Sequence, residues 1–271
     1  MQNFHMPPTG YGPGSQTEEG GEELEYMSMP QDMRTYSARL PDIDAAPAPA
    51  LDFLLALADA CDRVAAGGTP ERFDLSQLGG EARKIVADTL QEGEVAMKIR
   101  GIPAVRVQES VFAGVWSLSA SGLDVVEVGQ VPADAIARAF EPFRPATADR
   151  PGPGVVNAPA LLSELQDHSA NPDIDLHVIN LSLLPHTEED LAWLEDRLGE
   201  GSVDILSRGY GNCRIRATAL PRTWHVQFYN STDQLILDTY EVTTMPEVAL
   251  AAHEDLTDSG ARLREVVEAI R

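Results

Sequence analysis

The sequence predicts an α+β fold: two tandem copies of a helix-helix-antiparallel-sheet-helix unit packed together, with a disordered N-terminal tail and an extra C-terminal helix. Three observations predict it. First, the chain repeats itself. Residues 90–116, moved along by 108 positions, fall on 198–224 without a gap, placing Leu90, Glu92, Gly93 and Val95 on Leu198, Glu200, Gly201 and Val203. Arg100-Gly101 falls on Arg208-Gly209, Arg106 on Arg214 and Trp116 on Trp224, which fixes the building unit before any other inference. Second, in each copy apolar residues at helical spacing give way to four short alternating segments. Third, prolines break up residues 142–157 between the copies, as in a linker.

In chain order, residues 1–47 form the tail. Gly10-Tyr-Gly-Pro-Gly14 cannot pack, and Glu18 to Glu25 is mostly acid and glycine, so disorder is expected. Within it, residues 25–36 carry Tyr26, Met27, Met29 and Tyr36, an adaptable apolar set suited to a short docking segment. A copper site is disfavoured there, since the segment has no cysteine or histidine.

The first unit, 48–141, opens with a helix over about 50–66, striped by Leu51, Leu54, Leu55, Leu57 and Ala58 and stopped by Gly67-Gly68 and Pro70. A second helix over about 80–91 carries Ile85, Val86 and Leu90. Strands follow near 94–100, 104–110, 114–119 and 123–129, and Pro132 opens a short helix. The second unit, 158–271, repeats the plan with helices at about 159–168 and 187–198 and strands near 203–207, 213–219, 223–229 and 235–242. A helix at about 246–254 and an amphipathic helix at about 258–270 end the chain; the last is expected to cover an edge or bridge the halves.

The formal charge is −23, from 20 basic against 43 acidic residues. That excludes a nucleic-acid footprint, which requires a basic patch, and favours solubility and basic partners. No apolar run has the length of a membrane span, and the acidic, Gly/Pro-rich start lacks the pattern of a signal peptide, so a cytoplasmic protein without membrane association is expected. Cys61 and Cys213 are the two thiols, too few for four cluster ligands. No cofactor and no metal are expected.

Residues shared by both copies have structural reasons to be shared. Glu-Gly before the first strand reads as a helix stop, each tryptophan as a core anchor, and Arg106/Arg214 with Glu127/Glu241 as ion pairs across the sheet. What the second copy alone carries points to function. Its turn is Arg208-Gly-Tyr210-Gly-Asn212-Cys213, and its longer hairpin holds Tyr229, Asn230, Thr232 and Asp233, where the first copy has plain turns. Exposed aromatic, amide and thiol groups at loop tips are the usual material of binding surfaces; the alternative is that Asn and Asp only satisfy the turn backbone. As catalysts, Cys213 and His225 form the obvious nucleophile–base pair. A hairpin near Pro221 sets His225 opposite Arg216 and Cys213 opposite Phe228, roughly 10 Å apart, so no enzyme is expected. His168, His177, His186 and His253 are scattered in sequence, without metal-site spacing.

At these residues the chain resembles a known family. Val203-Asp-Ile-Leu-Ser-Arg-Gly-Tyr-Gly-Asn-Cys-Arg-Ile-Arg-Ala-Thr218, Trp224-His-Val-Gln-Phe-Tyr-Asn-Ser-Thr-Asp233, Leu235-Ile-Leu-Asp-Thr-Tyr-Glu-Val242 and Pro246-Glu-Val248 are similar to the HupH/HyaF hydrogenase expression proteins. The tail's Pro13-Gly-Ser-Gln16 and residues 26–36 resemble that family's amino-terminal signature. The resemblance implies a maturation factor, or chaperone, for membrane-bound uptake [NiFe]-hydrogenase. It would act on the iron–sulfur small subunit precursor before export, together with a thioredoxin-like companion chaperone, and it supplies no catalytic residue. Two alternatives stand beside it: redox or iron–sulfur cluster protection through Cys213, and an adaptor that ties the companion to its client through residues 25–36.

Overall fold

The computed structural model describes residues 46–271, apart from 148, 149, 172, 174 and 210. The expected tail and its Tyr26, Met27, Met29 and Tyr36 lie outside the described residues. Helix α1 (Ala48–Ala65) leads to strand β1 (Glu71–Asp74), helix α2 (Gly80–Leu90), strands β2 (Val95–Ile99), β3 (Val105–Glu109), β4 (Val115–Ala120) and β5 (Leu123–Val128), and helix α3 (Ala133–Arg138). Helix α4 (Ala158–Ala170), strand β6 (His177–Asn180), helix α5 (Glu188–Leu198), strands β7 (Val203–Ser207), β8 (Asn212–Ala217), β9 (Thr223–Tyr229) and β10 (Leu235–Val242), and helix α6 (His253–Ile270) follow.

The fold is a mixture of helices and one antiparallel sheet. Its ten strands run β1-β5-β4-β3-β2-β7-β8-β9-β10-β6. The centre of the sheet is the pairing of β2 with β7, which sets Ile99 opposite Val203 and Val95 opposite Ser207. Alternation of period two then sorts every strand onto two faces. On one face Met97, Val107, Trp116, Ile205, Cys213, Ile215 and Trp224 form a continuous core closed by Ala135, Ala139 and Ala249. On the other, Tyr240 and Val242 pack beneath α4 and α5 with Leu165, Leu194 and Leu198. Helix α2 sits on that same second face at the opposite end, where Arg83 pairs with Asp124 of β5. Helices α4 and α5 on one side and α2 on the other therefore flank the central strands on this face.

Several expectations need correction. Strands β1 and β6 at the sheet edges have no counterpart in the sequence-based assignment, because four residues of mixed polarity carry too little periodicity. The helix expected at 246–254 is a single 3-10 turn, Glu247–Ala249, and the terminal helix starts earlier, at His253. Helix α6 packs along α1 and ties down the 111–114 turn, with Ser259 Oγ donating to Ala113 O at 3.0 Å.

The shared Glu-Gly pairs are not helix caps. Helices α2 and α5 end at Gln91 (φ 48°) and Gly199 (φ 65°), ahead of Gly93 and Gly201. Gly93 and Gly201 are required by close approach, since a Cβ there would collide with the carbonyl oxygens of Ser110 and of Ala139 and Thr218. The shared arginines and glutamates do not pair with each other either, because they alternate onto opposite faces. Glu127 instead takes Arg72 at 2.7 Å and the Ala133 N–H at 2.7 Å, holding the start of α3.

Candidate functional site at the β7–β8 and β9–β10 loops

Antiparallel pairing brings the two second-half loops together at one end of the central strands. The register places Cys213 opposite Phe228 and Arg216 opposite His225, as the Pro221 hairpin implied, and Asn212 opposite Tyr229. Asn212 Nδ2 donates to Asp233 Oδ1 at 3.1 Å, so the turn and the hairpin touch side chain to side chain. Arg214 lies over the Tyr229 ring at 4.6 Å, a cation–π contact that holds the ring on the sheet. Asn230 Oδ1 accepts from Thr232 N at 2.9 Å and Gln234 N at 3.0 Å. That amide serves the turn itself, which allows Asp233 its left-handed φ of 55°. Arg208, Thr232 and Asp233 are exposed, whereas Asn212, Tyr229 and Asn230 are half-buried. Tyr210 lies outside the described residues.

Cys213 departs from the exposed thiol expected at a loop tip. It faces the core, 2% exposed, and burial, with Glu241 nearby, pushes its thiol up to about 12. At neutral pH it is protonated, which removes the thiolate that nucleophilic or redox chemistry requires. The same alternation separates it from His225, which lies on the opposite face. There His225 Nε2 is 2.6 Å from Asp238 Oδ1, its Nδ1 is 3.0 Å from the Arg216 guanidinium, and its ring stacks on Tyr240. This network fastens β8, β9 and β10 together.

Beneath the 208–213 turn, on the core face, lies a cleft of about 290 Å³ lined by Cys213, Phe228, Glu94, Glu109, Glu247 and Asp255. Four carboxylates from four separate segments converge there. Sequence reasoning missed them because they lie far apart along the chain. The available signal was Glu109, which follows the inward positions Val105 and Val107 in β3. Glu109 accepts the Gly114 N–H at 3.1 Å. Burial pushes its carboxyl up to about 7; the Gly114 bond opposes this and the charge of Glu94 adds to it.

A glutamate raised above its unfolded value of about 4.3 favours the protonated native state. Its contribution to stability is therefore complete below about pH 4.3 and is lost as pH rises through about 7. Glu109→Gln is expected to remove that loss, gaining on the order of 2 kcal/mol at about pH 8 relative to about pH 5. Urea unfolding at the two pH values checks it; identical pH slopes for the two proteins would place the proton elsewhere.

Two of the scattered histidines do meet. His168 of α4 and His177 of β6 stack with ring centroids 3.5 Å apart and planes at 11°, and His177 Nε2 lies 2.8 Å from Glu164 Oε1. The three ligand atoms are close enough for one ion. However, a metal binds in the plane of each imidazole, and parallel stacked rings share no such plane, so the pair as arranged is a packing contact.

Residues 155–270 match the family model described as the C-terminal conserved region of HupH hydrogenase expression protein. Across its whole length the chain is 61% identical to all of the hydrogenase expression/formation protein HupH of Rhodobacter capsulatus. The chain belongs to the HupH family of hydrogenase expression proteins. Other relatives are HoxQ of Cupriavidus necator, 42% identical over 99% of this chain and 98% of its own, and the hydrogenase-1 operon protein HyaF of Escherichia coli, 35% identical over 72% of each. The HupH match begins just before α4 and ends in α6, and so contains both loops and the Cys213 wall of the cleft. No helix among the described residues is long and apolar enough to cross a membrane.

Proposed function

We propose that this chain is a non-catalytic maturation factor for uptake [NiFe]-hydrogenase, binding the iron–sulfur small subunit precursor in the cytoplasm before export. The family supports hydrogenase maturation as the setting. The observation that carries the finer reading is the acidic cleft beneath the 208–213 turn, where Glu94, Glu109, Glu247 and Asp255 line one opening. A precursor bound for twin-arginine export carries a basic leader, and a guanidinium is the natural guest of clustered carboxylates. In this reading Arg208, Tyr210, Asn212, Tyr229, Asn230, Thr232 and Asp233 supply further client contacts from the two loops, Cys213 is a buried wall of the cleft, and Tyr26, Met27, Met29 and Tyr36 supply a second contact for a thioredoxin-like companion chaperone.

We also read the chain as a duplicated unit, with copies at 48–141 and 158–271 joined by 142–157. Its support is that both halves run helix, strand, helix and then four consecutive strands.

The test is capture of the precursor by the full chain, with and without its leader, at low and high salt. The leader-bearing form is expected to be held preferentially at low salt, and a Glu94→Gln/Glu247→Gln variant to hold it at least several-fold less. Equal, salt-insensitive capture of both forms would sink the proposal.

A further inference from the structure

The opposite face of the sheet carries a patch in which cations outnumber acids. Between α2 and the α4–α5 pair, a groove of about 1140 Å³ runs over the outward sides of β3, β2, β7 and β8. Its lining includes Lys98, Arg106, Arg214 and Arg216, with the apolar Ala96 and Leu206 among them. The chain has more than twice as many acids as bases, so random placement would not concentrate cations on one floor. Some of this charge is already engaged: Arg216 lies 3.3 Å from Glu195, and Arg100 at the rim pairs with Asp204. No salt bridge among the described residues reaches Lys98 or Arg106, and both side chains are exposed. Lys98 and Arg106 stand directly opposite each other in the β2–β3 register, and Asp204, on the other side of Lys98, is taken by Arg100. The two cations repel one another, and an incoming anion relieves that repulsion.

We propose that this groove docks an extended acidic segment of a partner protein. Four strands at about 4.8 Å spacing give a floor roughly 15–20 Å across, which about five or six extended residues span. Alternate side chains of such a segment face the floor. Acidic ones there meet Lys98, Arg106 and Arg214, and small apolar ones meet Ala96 and Leu206. A nucleic acid fits poorly, because Glu92, Asp204 and Glu200 also line the groove and break the continuous run of cations that a phosphate backbone requires. A second copy of the chain brings the same excess of negative charge.

The experiment selects a random decapeptide library on the full-length protein and measures the recovered sequences by fluorescence anisotropy. The comparison protein is a Lys98→Ala/Arg106→Ala variant whose fold is checked by circular dichroism. Enrichment of Asp and Glu at alternate positions is expected, with binding that weakens with salt and falls at least about tenfold in the variant. No acidic enrichment, or equal binding to the variant, would overturn the proposal. So would tighter variant-sensitive binding of a twenty-nucleotide single strand, or self-association in sedimentation that the variant abolishes. Lys84→Ala, on α2, is the control expected to bind as the native protein does.

Discussion

Replacing Trp224 by alanine is expected to destabilise the protein by about 3–5 kcal/mol and to lower its melting temperature by about 8–15 °C. Trp224 is fully buried in the core face. Its ring meets Phe140, which follows α3, edge to face at 5.2 Å, and its Nε1 donates to Thr243 O at 3.2 Å. One side chain thus ties the second-half strands to the end of the first half and to the loop after β10. A buried tryptophan removes about 150–250 Å² from water, and alanine leaves a void that a sheet braced on both sides cannot close. Trp224→Phe keeps most of the area and forfeits the hydrogen bond, so it is expected to cost about 1–2 kcal/mol. The cognate Trp116, also fully buried and donating to Gly129 O at 2.9 Å, is expected to show the same ranking. Thermal unfolding of the four variants decides the matter; a loss below about 3 °C for Trp224→Ala would mean that this core is not one cooperative body.

The strands and helices that carry these tryptophans were readable because period two and period 3.6 are local properties. Even the β8–β9 register was readable, since Pro221 fixes where the chain turns. Three features were not. The joining of β2 to β7 is a choice of partner between edges that look alike in sequence. The edge strand at Glu71–Asp74 is too short to declare a period, and its Arg72 acquires meaning only beside Glu127. The acidic cleft assembles Glu94, Glu109, Glu247 and Asp255 from positions more than 150 residues apart, and the basic groove emerges only when Lys98, Arg106 and Arg214 are seen to share one face. The loop residues 208–213 and 229–233 stood out in the sequence. Which of their atoms remain free is a matter of hydrogen bonding, as Asn230 illustrates.

Asp190→Ala is expected to cost about 3 kcal/mol or more, although the residue lies at the start of a helix where substitutions are ordinarily mild. Asp190 is 1% exposed. One carboxylate oxygen accepts the N–H groups of Val156, Asn157 and Ala158 at 2.7, 2.9 and 2.9 Å, and the other accepts the Thr187 N–H at 3.1 Å. Those donors belong to the first residue of α4, its cap Asn157, the preceding Val156 and the cap of α5, so a single charge sits at two helix N-termini and favours both of their dipoles. Alanine leaves four donors without this acceptor, those of Ala158, Asn157 and Thr187 on buried or half-buried residues. Burial alone would raise this carboxyl, but the four N–H bonds outweigh it and hold it down to about 2. A depressed carboxylate stabilises the fold above its unfolded value of about 3.9, and the contribution is lost as pH falls through about 2. Glu71 and Asp74 are also lowered, by Arg63 and by the Ser76 N–H, so the readout is the difference between native protein and Asp190→Asn. That difference should be largest above about pH 4 and shrink steadily toward about pH 2, because the native protein alone surrenders the charge. A gap that stays constant over this range would show that the amide's geometry, and not the lost charge, sets the cost.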